Sequence, residues 1–340
     1  MRVVVLGGTQ FIGRRITEAL VGRGSDVTVI HRGETEPADW VDCRHLHGDR
    51  KDFASIAGQV RALRPDAVID TCALSRADAG AVLPHLPETR LVLLSSMDVY
   101  RAYELLLAGT EGEPLPLTEE SPVRSGRYPY QDRDESLRDY EKLDVEPNYL
   151  QRGGTVLRLA MIYGEHDPQR REEFILRRVR AGRRQIPVGA GSWLWTRCYV
   201  GDVATATLAT LETPRAVGQI FNVGEPSTSS MLGWVRRILS AAGHEAALIP
   251  APDASLPPDL WPTRNHSQHL LVDSRKAREL LNWSPSDQAV STTTSVRWHL
   301  AHPPASEDDD FSADDRALAA AAQPPDASSS RARQSGLRQS

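Results

Sequence analysis

The chain opens on an apolar run that breaks directly into glycines. Residues 1–6 read MRVVVL, residues 7–13 GGTQFIG and residues 14–24 RRITEALVGRG. β-Branched residues favour a strand and clustered glycines a tight turn. The third stretch reads as a helix that ends in glycine. A second strand pattern, DVTVI, follows at residues 26–30. Strand, glycine turn, helix and strand form a βαβ unit. The backbone N–H groups and dipole at its helix start favour the pyrophosphate of a dinucleotide. The competing reading is an ordinary strand-to-helix turn, for which so many small residues would be wasteful.

The same alternation continues. Further strands are expected at residues 44–47, 67–71, 90–95 and 155–159, with helices at 12–21, 52–63, 77–86 and 137–149 and a partly looped stretch at 100–107. Such a pattern predicts an α/β, Rossmann-type doubly wound parallel sheet, with ligands bound beyond the carboxyl ends of the strands. Residues 109–130 read as a long surface excursion. Residues 1–167 are expected to form an NAD(P)-binding domain completed by later strands or helices, and residues 168–302 mainly a smaller C-terminal substrate lobe. That lobe includes an Arg-rich helix (171–184), a strand (219–223) and a helix (231–242). Residues 303–340 turn to Ala, Ser, Pro, Asp and Arg and read as a disordered tail.

Composition narrows the function classes. A net charge of -5 argues against broad nucleic-acid binding. No apolar run reaches the roughly 18 residues of a membrane span. The first strand leads straight into the glycine turn, so no signal peptide is expected. The three cysteines, Cys43, Cys72 and Cys198, form no metal spacing. A cytoplasmic enzyme with reduced thiols is the expectation. His266 and His269 lie in a Pro- and Asn-rich stretch without nearby cysteine, so no metal site is expected.

With the glycine turn, the blocks SSMDVY (95–100), RLAMIYG (158–164), RCYVGDVATA (197–206), FNVGEP (221–226) and DSRKARELLNW (273–283) resemble the extended short-chain dehydrogenase/reductase superfamily, in an atypical form. The likeness is greatest to its NAD-dependent epimerase/dehydratase family and covers roughly residues 1–300. The resemblance implies that Gly7, Gly8 and Gly13 form the phosphate turn, with Thr9, Gln10, Phe11 and Ile12 between them. Gln10 stands where the family often has a third glycine. Asp49 matches a carboxylate that contacts adenine. Thr71, Cys72 and Ala73 match the segment around the adenosine ribose and phosphates, with Cys72 as a packing residue. NAD-binding relatives carry an acid at the end of the second strand. This chain has Ile30-His31-Arg32-Gly33, and Arg32, assisted by Arg14, suits the 2′-phosphate of NADP. NADP is therefore favoured over NAD.

The family's chemistry uses Ser or Thr, Tyr and Lys. Ser96 matches the serine. Tyr and Lys are expected four apart on one helix, but here Tyr140 and Lys142 stand two apart. On a regular helix they point to opposite sides. Tyr140 can act only if the helix begins late or bulges, and Tyr128 or Tyr130 offer a phenol from the preceding loop. Lys142 is also expected to hold the nicotinamide ribose. The family often has a glutamate where Glu146 stands. Asp98 matches an acid used by sugar-nucleotide dehydratases, although their preceding Asp is Met97 here; its alternative role is a helix cap. Arg197 matches an arginine that binds a phosphate of a nucleotide-linked substrate, Asp202 reads as a helix cap, and Trp193 and Trp195 are candidates for a pocket wall or for core.

The resemblance implies an NAD(P)-dependent epimerase/dehydratase acting on a carbinol carbon of a sugar-like, nucleotide-linked substrate. Two other readings stay open: an NADPH-dependent reductase of the same fold, and a non-catalytic NAD(P)-binding regulator or RNA-binding protein like the chloroplast stem-loop-binding relatives. The arginines Arg177, Arg178, Arg180, Arg183 and Arg184 read as a solvated face or, more sharply, as an anion site. Dimerisation through two helices is common in the superfamily, which makes a homodimer part of the expectation.

Overall fold

The computed structural model describes residues 1–38, 40–306 and 309–322. Seven parallel strands form the central sheet: β1 (Arg2–Leu6), β2 (Asp26–His31), β3 (Arg44–His47), β4 (Ala67–Asp70), β5 (Arg90–Ser96), β6 (Thr155–Leu159) and a late strand at Ile220–Val223. Their spatial order runs from the late strand through β6, β5, β4, β1 and β2 to β3. The order reverses between β1 and β4, and the crevice there is the general ligand site of such sheets.

Both faces of the sheet are covered over its inner strands, which are apolar throughout rather than alternating, whereas the edge strand β3 (RHLH) is polar and largely exposed. Val3 and Val5 face Ile16 and Leu20 of α1 (Phe11–Gly22), while Val4 and Leu6 face the opposite side. That side is packed by α2 (Phe53–Ala62) through Phe53, Ile56 and Val60, and by α3 (Arg76–Val82) through Ala79 and Val82. After α4 (Arg101–Ala108) comes α5 (Lys142–Leu150), which adds Val145 and Tyr149 to the same core.

The remaining chain builds the second half of the cleft. It runs β7 (Met161–Tyr163), α6 (Glu173–Arg180), β8 (Gln185–Val188), β9 (Arg197–Tyr199), α7 (Val200–Glu212), β10 (Ile220–Val223), α8 (Met231–Ala241), β11 (Ala247–Pro250), α9 (Arg275–Leu280), α10 (Gln288–Ala301) and α11 (Ser312–Ala321). β7 pairs with β9 and β8 with β11 in two small parallel sheets. The strand expected in the smaller lobe at 219–223 is instead β10, paired to β6 in the main sheet. Its apolar residues Phe221 and Val223 are fully buried there. No helix among the described residues is long and apolar enough to cross a membrane.

The tail also differs from expectation. Within the segment read as disordered, residues 312–321 form α11. Asp314 is buried there and pairs with Arg178 at 2.7 Å. The Arg-rich helix is accordingly not a solvated face. Arg178 is fully buried between Asp314 and Asp259, and Arg183 pairs with Asp315. Residues 307–308 and 323–340 lie outside the described residues.

One buried acid makes the fold pH-sensitive. Glu172 lies just before α6, is fully buried, and accepts a 2.6 Å hydrogen bond from Ser295 of α10. Burial pushes its carboxyl up to about 8. The unfolded chain loses this proton near 4.5 and the folded chain keeps it until about 8, so stability falls as pH rises through that window. Glu172→Gln is expected to match the parent at pH 4.5 and to exceed its stability at pH 9 by about 5 kcal/mol. Denaturant melts at the two pH values check this, and parallel curves for both proteins would refute it.

Candidate active site

The glycine turn is built too tightly for side chains. Gly7 has φ of +79°, and a Cβ there would stand 2.8 Å from Thr71 Oγ1 and 2.9 Å from Cys72 Sγ. A Cβ on Gly13 would stand 2.1 Å from the Gly7 carbonyl oxygen. The start of α1 is thus packed directly on the turn backbone, which Gly13 alone permits. Gln10 precedes α1 with extended geometry (φ -126°) and no side-chain cap on the helix. Any residue adopts that backbone, which explains how glutamine replaces the third glycine while the first-turn amides stay uncapped for an anion. Phe11 follows with a positive φ of 36°, a conformation that costs a non-glycine residue about 1–2 kcal/mol. These features fit a dinucleotide. Gly13→Ala is expected to weaken NAD(P)H binding more than tenfold, about 1.4 kcal/mol, in a fluorescence titration; unchanged affinity would remove the turn from the cofactor site.

Three contiguous cavities run across the carboxyl ends of the strands. The first, about 500 Å³, is lined by Thr9, Gln10, Phe11, Arg14, Thr35 and Glu36. The second, about 560 Å³, shares Phe11 with it and is lined by Ser96, Asp98, Tyr130, Tyr140, Lys142 and Arg171. The third, about 290 Å³, shares Arg171 and Trp195 with the second. The glycine turn thus lines the first cavity, the candidate acid–base residues the second, and Arg171 with Trp195 joins the second to the third.

Asp98 is the hub of the middle cavity. Tyr140 and Tyr130 both donate to its Oδ2, at 2.8 and 3.0 Å. Its Oδ1 is buried without a partner. Burial raises the Asp98 carboxyl, and the hydrogen bonds from the two phenols offset this only in part. Burial and the adjacent Asp98 charge push the Tyr140 phenol well above its usual range. Asp98 does not cap the short turn that it sits in; Ser96 does, its hydroxyl accepting from the Asp98 N–H at 3.2 Å.

The position of Tyr140 follows from where α5 begins. The helix starts at Lys142, with Glu141 as its N-cap. Arg124 grips the Glu141 carboxylate through two hydrogen bonds at 2.8 and 2.6 Å, and the Tyr128 N–H adds a third at 2.8 Å. Burial raises that carboxyl, but Arg124 and the amide bonds outweigh it and leave it lowered. Tyr140 therefore lies ahead of the helix, and the opposite-sides geometry does not apply. Tyr140 and Lys142 line one cavity, with Nζ 5.8 Å from the phenol ring centre. Nζ donates to the carbonyls of Ala73 and Leu94 at 2.7 and 2.9 Å. Burial lowers the ammonium, partly countered by Asp70 and Asp98. Tyr128 is exposed, whereas Tyr130 takes part.

Other expected residues occupy varied places. Thr9 is buried, its hydroxyl 2.9 Å from that of Thr35. Arg14 pairs with Glu18, and Arg32 is exposed and paired with Glu34 at 2.8 Å. Asp49 accepts from the Lys51 N–H after β3. The Cys72 thiol is pushed up to about 12 by burial and the nearby Asp70 charge, which suits packing and not nucleophilic work. Trp193 is core, and Trp195 lines the second and third cavities. Arg197 is placed differently from expectation. It is fully buried behind Trp234, bonded to Ser229, and lines none of the three cavities. Asp202 accepts from Ser286 rather than capping α7. His266 packs between Trp193 and Trp261, and His269 accepts from the Leu194 N–H.

Nothing in the sequence sets Arg171 apart from the other arginines of the 171–184 stretch. Arg171 lies over Trp195 (5.6 Å to the ring centre) between the second and third cavities, with its Nε buried and unpartnered. Burial lowers its guanidinium from the usual value. The Asp70–Arg50–Tyr149 and Ser95–Glu146–Arg158 networks behind the site were equally hidden, because each joins residues from three separate elements or connections.

Comparison with known proteins bears on the family and the fold. The chain is 28% identical over 315 residues to the Arabidopsis thaliana chloroplast stem-loop binding protein of 41 kDa b, covering 86% of this chain and 77% of that one. It is 24% identical to a UDP-glucose 4-epimerase of Lacticaseibacillus casei, covering 89% and 98% respectively. Among solved structures, the UDP-glucose 4-epimerase of Thermus thermophilus in complex with NAD superposes with a TM-score of 0.65 at 21% identity, over 89% of this chain and all of that one. The model of the NAD dependent epimerase/dehydratase family matches residues 3–224. That stretch carries the glycine cradle, the Asp98 hub and all seven strands of the central sheet, and the chain belongs to this family.

Proposed function

We propose that the protein transiently oxidises a carbinol carbon of a nucleotide-linked sugar, with net epimerisation or dehydration. The observation that carries this reading is the convergence of Asp98, Tyr140 and Lys142 on a cavity contiguous with the glycine cradle. The turn of Gly7, Gly8 and Gly13 would hold NAD(P), which would supply the hydride acceptor and donor for the carbon. Tyr140 takes the substrate hydroxyl proton as its own phenolic proton moves to Asp98, and the same path runs backwards when the carbonyl is reduced. Lys142, held by two carbonyls, supplies the positive charge that steadies oxygen atoms at this end of the cavity. Arg171 beside Trp195 suits a substrate phosphate. The names of the relatives support a UDP- or dTDP-linked hexose. Incubating the protein with such hexoses and reading products by NMR tests this, and no conversion of any of them would overturn it.

The cofactor preference proposed is NADP. Neither His31 at the end of β2 nor Arg32 after it is a carboxylate that would accept from a ribose 2′-hydroxyl, and Arg32 can exchange Glu34 for a 2′-phosphate. Arg32→Ala is expected to weaken NADPH about tenfold while leaving NADH unchanged. Equal losses for both would overturn the preference. Exchangeable NADPH would favour the reductase reading, and tightly carried NAD the recycling one. A homodimer and a cytoplasmic location belong to the same reading, on the family resemblance alone; sedimentation velocity tests the first.

The stem-loop-binding relative keeps an RNA reading in view. Against it, Arg178 and Arg183 of the basic stretch are engaged by Asp259, Asp314 and Asp315. Salt-dependent RNA retention without hydride transfer would favour it.

A further inference from the structure

The exposed end of the sheet gathers three histidines and a glutamate. His45 and His47 alternate along β3 and so share one face, and His31 stands beside His47 in the parallel ladder. Glu36 reaches the group from the loop after β2. His31 Nε2 lies 2.8 Å from His45 Nδ1, and Glu36 Oε1 lies 2.5, 3.4 and 3.5 Å from His47 Nε2, His31 Nε2 and His45 Nδ1. All four ligand atoms fall within 4.8 Å of one another. Neighbouring ligands on a tetrahedron with bonds of about 2.0–2.1 Å stand about 3.3 Å apart.

We propose that His31, Glu36, His45 and His47 bind one divalent transition cation of the zinc type in four-coordinate geometry. Three imidazoles and one carboxylate select zinc-like ions over magnesium or calcium, which take oxygen ligands. Metal-free, the cluster is held by protons: one lies between His31 and His45 and another between His47 and Glu36. A cation replaces both. His31 Nδ1 accepts from the Gly33 N–H at 3.1 Å in this state. With metal on Nε2 the ring carries its proton on Nδ1, so the Gly33 amide turns away. Gly33, without a Cβ and at φ +84°, is the residue type that can do so. His47 is well exposed, which leaves an entry path. Cys43 Sγ lies 3.8 Å from His45 Nε2, on the side of the ring away from the cluster, where it can orient the imidazole.

The position gives the site a consequence. Glu36 also lines the first cavity with Thr9, Gln10 and Arg14. A cation that holds Glu36 fixes one wall of the cavity that the glycine turn lines. The metal site itself stands on its own geometry and not on the proposed reaction.

The full chain, stripped with a chelator and free of added cofactor, is titrated with Co²⁺ and followed by visible absorption. The expected result is one equivalent bound with the intense bands of four-coordinate Co²⁺, displaced by one equivalent of Zn²⁺. His45→Gln and His47→Gln should each weaken binding on the order of 10²-fold. Both residues are on the edge strand and partly exposed, and an unchanged circular dichroism spectrum verifies that the variants fold. His266→Gln should leave binding intact. Absence of binding, a weak six-coordinate spectrum, or equal binding by the His45 and His47 variants would overturn the site.

Discussion

Asp98→Asn is expected to lower kcat by about 10²–10⁴-fold while NAD(P)H affinity stays within about threefold. The amide cannot take the proton that Tyr140 passes on, yet it keeps an oxygen for both phenols. Tyr140→Phe should show a loss of the same order, because it removes the only group joining Asp98 to a substrate hydroxyl in this scheme. Tyr130→Phe should cost less, since Tyr130 donates to Asp98 without standing between it and substrate. Stability should move the other way. The folded Asp98 carboxyl holds its proton above its ordinary value of 3.8. Folded protein therefore loses stability as pH rises from about 3.8 through the raised value, and the neutral variant escapes this loss. At pH 8, Asp98→Asn should be inactive and at least as stable as the parent. Steady-state rates and melts on the same samples check both halves. Lost activity together with a lowered melting temperature would reduce Asp98 to a structural group.

What the sequence makes legible follows the range of the interactions involved. The β1–turn–α1 unit is local, and its strand period, glycines and helix start are read within 24 residues. Five of the first six strands of the main sheet are likewise carried by short apolar runs bounded by turns, while the polar edge strand β3 (RHLH) is read only from its place in the alternation. Tyr140 and Lys142 are a harder case. Their spacing by itself implies opposite helix sides. The helix start that resolves it depends on Arg124 holding Glu141 from 17 residues away. Gln10 shows the same limit from the backbone side, because a residue name does not reveal whether a turn position needs positive φ. Arg178 reads as solvent-facing until its partners arrive from 81 and 136 residues further on. Arg197 shows that a motif match locates a residue in the chain but not which way its guanidinium points. The His45–His47 alternation is visible in sequence, but its meaning comes from His31 and Glu36, which the β2–β3 pairing brings alongside.

Asp314→Ala is expected to destabilise the protein by about 3–5 kcal/mol. The Arg178 side chain is fully buried, and its Nε and Nη2 donate to the two Asp314 oxygens at 2.7 Å each. Asp259 takes the other side at 2.6 and 3.2 Å. Removing Asp314 leaves a buried guanidinium with half of its counter-charge and breaks the anchor of α11. The cost is that of an uncompensated cation, not the net worth of the pair. Replacing Arg178 by Met in the same chain should therefore recover much of the loss, and a double-mutant cycle should show coupling of about 2–3 kcal/mol. Arg177 and Asp259 also line the third cavity beside Arg171 and Trp195. Loosening α11 should accordingly raise KM more than it lowers kcat, since the Asp98 hub lies in the neighbouring cavity. Denaturant unfolding and steady-state kinetics separate the two effects. A cost under about 1 kcal/mol would make α11 a loosely held appendage, and the Arg-rich helix would then be open to an external anion after all.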